Sequence, residues 1–155
     1  MEKQKIINSF RDEYFAFSNF FRRKIIYNGE EFLTSEHAYQ AYKTLDPVLR
    51  EEIKNQPSPG KAKAKGQELR DKSLLRPDWD TGLQLKIMEE IIAVKFSEAN
   101  PDLVEILLAT GDTELIEGND WGDTFFGVCN GVGENNLGKL LMKRRSKLLE
   151  NKFIF

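Results

Sequence analysis

Glu36, Gln40 and Lys43 are polar residues whose spacing suits one shared helix face. At about 100° per residue, positions three and four apart project from the same side of an α-helix. A carboxylate in the first turn of such a helix should stay ionised, because the positive end of the helix dipole favours the charge. An ionised Glu36 suits the work of a base or of a group that stabilises a developing cation. The spacing is equally typical of a solvated polar stripe, and by itself it favours that simpler interpretation.

A second group of chemically useful residues lies in the segment Asp120–Gly127. Its aromatic residues could stack on a flat ring while one of its two carboxylates, Asp120 or Asp123, acts beside the ring, and its glycines let the chain bend. The alternative is a loop in which Trp121 and Phe126 anchor the core and the aspartates make turn hydrogen bonds. The residue pattern leaves both interpretations open.

Composition argues against several other kinds of chemistry. The 155 residues include one cysteine, Cys129, and one histidine, His37, so neither an intramolecular disulfide nor a histidine-rich metal site is expected. No P-loop or dinucleotide fingerprint is complete, and no cofactor is predicted. The net charge of -2 argues against a polybasic nucleic-acid binder. No apolar run reaches the roughly 20 residues that span a bilayer, so we expect a cytoplasmic protein without a membrane partner.

The elements that must position these residues form an α+β fold, a single domain over residues 1–155 that is mainly helical with a few short strands. Asn28-Gly29 predicts a hairpin between two short strands, and residues 118–133 predict a long irregular loop. Further short strands are predicted for Lys5–Asn8, Thr113–Glu117 and Lys152–Phe155. Helices are predicted from Thr34 or Ser35 to about Leu45, and for Pro47–Asn55, Thr81–Ala99, Pro101–Leu108 and Glu134–Asn151, with a short helical or loose stretch at Lys61–Lys65.

Taken in order, several short motifs resemble the YbiA/NADAR family of N-glycosidases over nearly the whole chain. They include Phe17-Ser18-Asn19-Phe20, Thr34-Ser35-Glu36-His37, Lys95-Phe96, the segment Asp123–Gly127, and Gly131-x-Gly133-x-Asn135-x-Leu137-Gly138. Similar proteins are small single-domain α+β hydrolases that need no metal. One departure is Phe126, which stands where the family commonly has tryptophan before the glycine of its Asp-x-x-Trp-Gly motif. Phenylalanine still stacks but lacks the indole N–H donor, so the departure concerns substrate preference.

The resemblance implies hydrolysis of the C–N bond between a ribose and a base or amine. Family substrates are phosphorylated ribosylaminopyrimidine intermediates of riboflavin synthesis and, in toxin-linked members, ADP-ribose attached to DNA bases. Breaking such a bond develops positive charge on the sugar, which paired carboxylates can stabilise as in glycoside hydrolysis. By the resemblance, the catalytic residues are Glu36, Asp123 and Lys43, and Asn19, Trp79, Phe126 and Gln40 bind the substrate. Arg22 and Arg23 are further candidates, which would bind its phosphate.

The resemblance and the chemistry of the side chains together give a hypothesis for the individual roles. Lys43 binds a ribose oxygen or a phosphate, or holds Glu36 ionised, and Asn19 orients a hydroxyl or water. Trp79 and Phe126 hold the base, although a lone tryptophan is more often a core anchor. Two other interpretations remain: a non-catalytic module that binds ADP-ribose or a nucleotide-like ligand, and a helical interaction domain, which the glycine-rich loop disfavours.

Overall fold

Helices dominate the structure, a computed structural model that describes residues 5–152. The helices are α1 (Ser35–Ala41), α2 (Pro47–Lys54), α3 (Pro59–Asp71), α4 (Leu83–Lys95), α5 (Pro101–Ala109) and α6 (Asn136–Lys152). The strands are β1 (Ile6–Ile7), β2 (Ile25–Tyr27), β3 (Glu30–Phe32), β4 (Glu114–Leu115), β5 (Gly118–Asn119) and β6 (Val128–Cys129). Short 3₁₀ helices cover Asp12–Phe17 and Trp79–Thr81. The predicted α+β class, weighted toward helix, is confirmed.

Two units of the chain are described separately. The first comprises Asn19–Lys95, and the second comprises the described residues up to Ser18 and from Phe96 onward. Glu36, Lys43 and most other predicted site residues belong to the first unit, whereas Asp123 and Phe126 belong to the second. The single domain over residues 1–155 stays a prediction.

The first unit opens with the predicted hairpin. Strands β2 and β3 pair antiparallel, with Ile25 opposite Phe32 and Tyr27 opposite Glu30. The turn residues Asn28 and Gly29 have φ angles of 51° and 79°. Two consecutive positive φ angles match the right-handed strand twist, which is why Asn-Gly marks such turns. The hairpin is therefore fixed by local chemistry.

Helix α1 begins where the sequence indicates. The Thr34 side chain accepts a hydrogen bond from the backbone N–H of His37 at 3.1 Å, which satisfies one of the free donors of the first turn. The helix ends at Ala41, earlier than the predicted Leu45. Helix α2 follows its prediction closely, because a proline at its first position suits the missing donor there.

Helix α3 is much longer than the predicted stretch Lys61–Lys65. It runs over 13 residues from Pro59 to Asp71 and continues through Gly66. Its buried face consists of Ala62, Gly66 and Leu69. Since two of these three residues carry little or no side chain, the hydrophobic period that reveals a helix is weak in this segment.

Helix α4 covers the middle of the predicted segment Thr81–Ala99. Gly82, with a φ of 97°, ends the short 3₁₀ helix before it, and α4 then runs from Leu83 to Lys95. Its apolar side chains Ile87, Met88, Ile91 and Ile92 are all buried.

The second unit is built around α5, α6 and short parallel strand pairs. Strand β1 pairs with β4, and β5 pairs with β6 inside the segment predicted as an irregular loop. Asn135 binds the backbone N–H of Glu117 and the carbonyl of Leu115, at 2.9 Å each, so it ties the start of α6 to the end of β4. Arg145 is buried and donates to the Thr110 hydroxyl and the Thr113 carbonyl, so it ties α6 to the chain that follows α5.

The end of the chain differs from its prediction. Lys152, predicted to begin a terminal strand, is the last residue of α6. Residues 153–155 of that predicted strand lie outside the described residues. Among the helices of residues 5–152, none combines the length and apolar character that a membrane span requires.

Candidate active site

The polar face of α1 is buried. Glu36, Gln40 and Lys43 keep only 6%, 4% and 8% of their surface exposed. The interpretation of this face as a solvated stripe is therefore wrong. Burying polar groups is unfavourable unless they find partners, so the contacts of these three side chains decide what the face can do.

Glu36 is held at both its backbone and its carboxylate. Its N–H donates to the carbonyl of Asn19 at 3.1 Å, and the hydroxyl of Ser35 donates to the same carbonyl at 3.4 Å. Its carboxylate oxygen Oε1 accepts a hydrogen bond from Nε2 of Gln40 at 2.8 Å. Asn19 thus positions the start of α1 through its main chain, and Gln40 orients the carboxylate one turn later.

Lys43 lies in an environment that weakens its hold on a proton. Burial lowers the pKa of Lys43 to about 8, against the opposing effect of the Glu36 carboxylate. The cations Arg70 and Lys63 on α3 lower it further. The ammonium nitrogen Nζ lies 5.6 Å from the centre of the Tyr39 ring, within range of a cation–π contact. At neutral pH the side chain is mostly charged, with a substantial neutral fraction near pH 8.

Trp79 stands beside this group but inside the core. Only 2% of its surface is exposed, and its ring centre lies 5.2 Å from that of Tyr39. The next residue, Asp80, binds the guanidinium of Arg70 through both oxygens, at 2.8 and 3.2 Å. Trp79 therefore packs as a core residue, and its contact with a substrate base stays a prediction.

Arg22 and Arg23 follow Asn19 in the same unit. Arg22 is exposed, and its charge lowers the pKa of His37 as a smaller effect beside burial. The guanidinium of Arg23 lies 5.9 Å from the centre of the Phe21 ring. Its charge also adds to burial in lowering the pKa of Lys95 to about 7. Binding of a phosphate by either arginine stays a prediction.

His37 is buried, and both nitrogens of its ring have hydrogen-bond partners. Its Nδ1 lies 2.8 Å from the Thr34 hydroxyl, and its Nε2 lies 2.9 Å from the carbonyl of Gln56. A carbonyl only accepts, so Nε2 carries the proton and Nδ1 accepts from Thr34 in the neutral ring. Burial lowers the pKa of His37, which favours this neutral form.

Sequence reasoning missed Tyr39, Lys63, Gly66 and Arg70, which surround the buried face of α1. A usable signal existed for Lys63 and Arg70, because seven residues make two helical turns and place both on one side of α3. The unexpected length of α3 concealed it.

In the second unit, the Asp123 carboxylate organises its own loop. Its oxygen Oδ1 accepts hydrogen bonds from the backbone N–H groups of Phe125 and Phe126, at 3.0 and 2.9 Å. Asn119 supports the same loop, since its side chain accepts from the Asp123 N–H and donates to the Asp123 carbonyl. These are the turn hydrogen bonds of the simpler interpretation. A catalytic role for Asp123 stays a prediction.

The aromatic and glycine residues of this loop also serve its shape. Phe126 is half-buried and meets Phe125 edge to face, with ring centres 4.8 Å apart, whereas Trp121 is 55% exposed and anchors no core. A Cβ added to Gly127 would meet the Glu117 carbonyl oxygen at 2.3 Å, and one added to Gly133 would meet the Gly127 oxygen at 2.1 Å. The glycines allow close approach of backbone to backbone, and the contact of Phe126 with a base stays a prediction.

Comparison with known proteins decides the family. Residues 6–149 match the family model described as the NADAR domain. The chain belongs to the NADAR domain family. This NADAR protein is 40% identical, over 149 residues, to the N-glycosidase YbiA of Shigella flexneri, with 92% of this chain and 88% of that protein covered. It is 36% identical over 135 residues to a protein of Vibrio vulnificus named as a riboflavin biosynthesis protein, of which the match covers 35%.

A solved structure supports the same assignment. The NMR structure of the Escherichia coli protein YbiA matches this NADAR protein with a TM-score of 0.86 and 37% identity, over 100% of this chain and 91% of that one. With this likeness in sequence and fold, the NADAR protein is an N-glycosidase, a hydrolase of glycosidic C–N bonds. The interpretations as a non-catalytic module or an interaction domain are not supported.

Proposed function

We propose that this N-glycosidase hydrolyses the bond between ribose C1′ and a nitrogen in a phosphorylated ribosylaminopyrimidine, and that Glu36 is the residue on which turnover depends. An ADP-ribosylated nucleobase in DNA is the second candidate substrate. The name of the Vibrio vulnificus relative supports the first, since a riboflavin pathway contains such aminopyrimidines. Action in the cytoplasm, expected from the sequence, belongs to the same proposal.

The observation that carries the proposal is the buried carboxylate of Glu36 with its amide donor. In the reaction the C1′–N bond breaks, its electron pair stays on the departing nitrogen, and the ribose becomes a cation. Water then adds to C1′, and the proton it loses balances the proton gained by the nitrogen. Glu36 stabilises the cation or accepts the proton of the water. Gln40 restricts the carboxylate to one orientation, so little rearrangement precedes the reaction.

Lys43 supplies positive charge to the same face. Its ammonium group binds a ribose oxygen or the phosphate, with Arg70 and Lys63 adding to the positive field. Asp123 is the proposed second carboxylate, on the strength of family membership. Trp79, Phe126, Asn19, Arg22 and Arg23 keep their predicted substrate contacts, whereas Gln40, also predicted to bind substrate, is proposed instead to orient Glu36.

The test compares two glutamate variants on two substrates. The protein is incubated with a ribosylaminopyrimidine phosphate and, separately, with ADP-ribosylated DNA, and released ribose phosphate or ADP-ribose is measured. Glu36→Gln keeps the size of the side chain and removes its charge, so we expect kcat to fall by about 10²- to 10⁴-fold with an unchanged Tm. The control is Glu31→Gln, the same change at an exposed position of β3, which should keep wild-type kcat. Full activity of Glu36→Gln would refute the role of Glu36.

A further inference from the structure

Gly66, in the middle of α3, faces the side chain that holds Glu36. A Cβ added to Gly66 would lie 1.8 Å from Oε1 of Gln40 and 2.8 Å from its Cδ, distances that no real contact allows. Gly66 is buried and sits within a regular helix, where glycine costs about 1 kcal/mol relative to alanine. Its conformation is helical, so backbone freedom does not explain the glycine. The glycine is explained by the space that the Gln40 side chain needs.

Gln40 has its amide turned in one direction only. Nε2 donates to the Glu36 carboxylate at 2.8 Å, and a flipped amide would bring its own oxygen against the carboxylate oxygen. In the existing orientation, Oε1 is buried and receives no hydrogen bond from the described residues. An unpaired buried acceptor costs about 1 to 3 kcal/mol, so this orientation is held by its surroundings. The missing side chain of Gly66 leaves room for Oε1 while Nε2 reaches Glu36.

We propose that Gly66 is a positioning residue of the N-glycosidase reaction, which acts through Gln40 to fix the Glu36 carboxylate. The inference rests on the proposed role of Glu36 and extends it to a second helix. Any side chain at position 66 displaces the Gln40 amide, and the carboxylate then loses the hydrogen bond from Nε2 that orients it. Substrate contacts made elsewhere are retained, so the loss falls on kcat more than on KM.

A double-mutant cycle tests this mechanism. Gly66→Ala, Gln40→Ala and the double variant are compared with wild type in kcat, KM and Tm. We expect each single variant to lower kcat by about 10- to 100-fold with KM changed by less than about threefold. Gln40→Ala removes the two atoms nearest to the added methyl group, Oε1 and Cδ, and keeps the Cβ of residue 40 at 3.2 Å. The double variant should therefore be no slower than Gln40→Ala alone.

The matched control is Gly60→Ala, a glycine of the same helix with no atom within 4 Å of an added Cβ. It should keep wild-type kcat and KM. If Gly66→Ala lowers kcat by the same factor in both backgrounds, or keeps wild-type kcat, the positioning role is wrong and Gly66 serves packing alone. The Tm values of wild type, the two single variants and the double variant measure the coupling between Gly66 and Gln40 without an activity assay. Additive Tm changes would also overturn the inference.

Glu36→Gln is measured in the same assay to separate the two proposals. A fully active Glu36→Gln refutes the proposed function. An inactive Glu36→Gln beside an active Gly66→Ala refutes only the role of Gly66.

Discussion

Two carboxylates of this protein show how differently the same group can be held. Glu36 is 6% exposed, and its Oε1 accepts from a side-chain amide one helical turn away. Asp123 is half-buried, and its Oδ1 accepts from two backbone N–H groups of its own loop. By accepting from two backbone N–H groups, the Asp123 carboxylate stabilises the conformation of its loop. By donating to Glu36, the Gln40 side chain instead holds the Glu36 carboxylate in one orientation. Removing Glu36 should therefore change chemistry, and removing Asp123 should first change folding.

The largest effects should come from testing this contrast with matched amides. Glu36→Gln should lose about 10²- to 10⁴-fold in kcat without loss of Tm. Asp123→Ala removes the acceptor of two N–H groups and should lower the free energy of unfolding by about 1 to 2 kcal/mol. Asp123→Asn keeps an acceptor oxygen, so it should recover most of that stability. Chemical denaturation and steady-state kinetics on all three variants measure these differences.

Asp123→Asn also tests the proposed second carboxylate. If Asp123 acts in the reaction, the stable Asp123→Asn protein should still lose about 10- to 100-fold in kcat, because the amide carries no charge. Wild-type kcat in Asp123→Asn, together with a destabilised Asp123→Ala, would leave Asp123 with its loop role alone. Glu36 would then be the carboxylate that acts in the reaction, and Asp123 one that only stabilises its loop.

The charge of Lys43 should make the stability of the protein depend on pH. Burial lowers the pKa of Lys43 from 10.5 to about 8 in the folded protein. Between these values the unfolded chain binds more protons, so this group raises stability as pH rises from about 8 to 10.5 and imposes its full cost below 8. The cost corresponds to about 3 kcal/mol. Lys43→Met, which removes it, should gain stability relative to wild type at pH 7 and lose that advantage toward pH 10.5.

Lys43→Met should lower activity, although it raises stability at pH 7. We expect Lys43→Met to lower kcat/KM by about 10-fold or more, since the substrate loses a charged hydrogen-bond donor. Lys61→Met, at an exposed position of α3, is the control and should alter neither property. Denaturation curves at intervals from pH 7 to pH 10 follow the difference in stability. A difference that stays constant with pH would contradict a depressed pKa at Lys43.

The fold was predictable where one residue type imposes a local conformation. Asn28-Gly29 determines the hairpin, and Thr34 determines the start of α1, because both act through their own backbone neighbours. Helix α3 was predicted too short because Ala62 and Gly66 form its buried face without a strong apolar period. Close packing of helices needs small residues, and these are the residues that hydrophobic patterns detect least.

The sequence identified residues of the candidate site but did not predict that they are buried. Family resemblance supplied Glu36, Gln40 and Lys43, but helix periodicity alone placed them on a solvated face. Periodicity assumes that polar residues face water, and that assumption fails where buried polar groups satisfy one another, as Gln40 and Glu36 do. Gly66 was invisible for a related reason: its contribution is the space it leaves for Gln40, which only the packed structure reveals.

The smallest expected effect concerns Phe126, which lies in the same loop as Asp123. Phe126→Trp introduces the residue common in the family, with a larger ring and an N–H donor. If the ring contacts the base, the ratio of kcat/KM for the ribosylaminopyrimidine phosphate to that for ADP-ribosylated DNA should change about three- to tenfold. Phe125→Trp is the control, because Phe125 packs edge to face on Phe126 in the same loop and has no predicted substrate contact. Equal ratios in wild type and Phe126→Trp would assign Phe126, like the Oδ1 atom of Asp123, to the architecture of the loop.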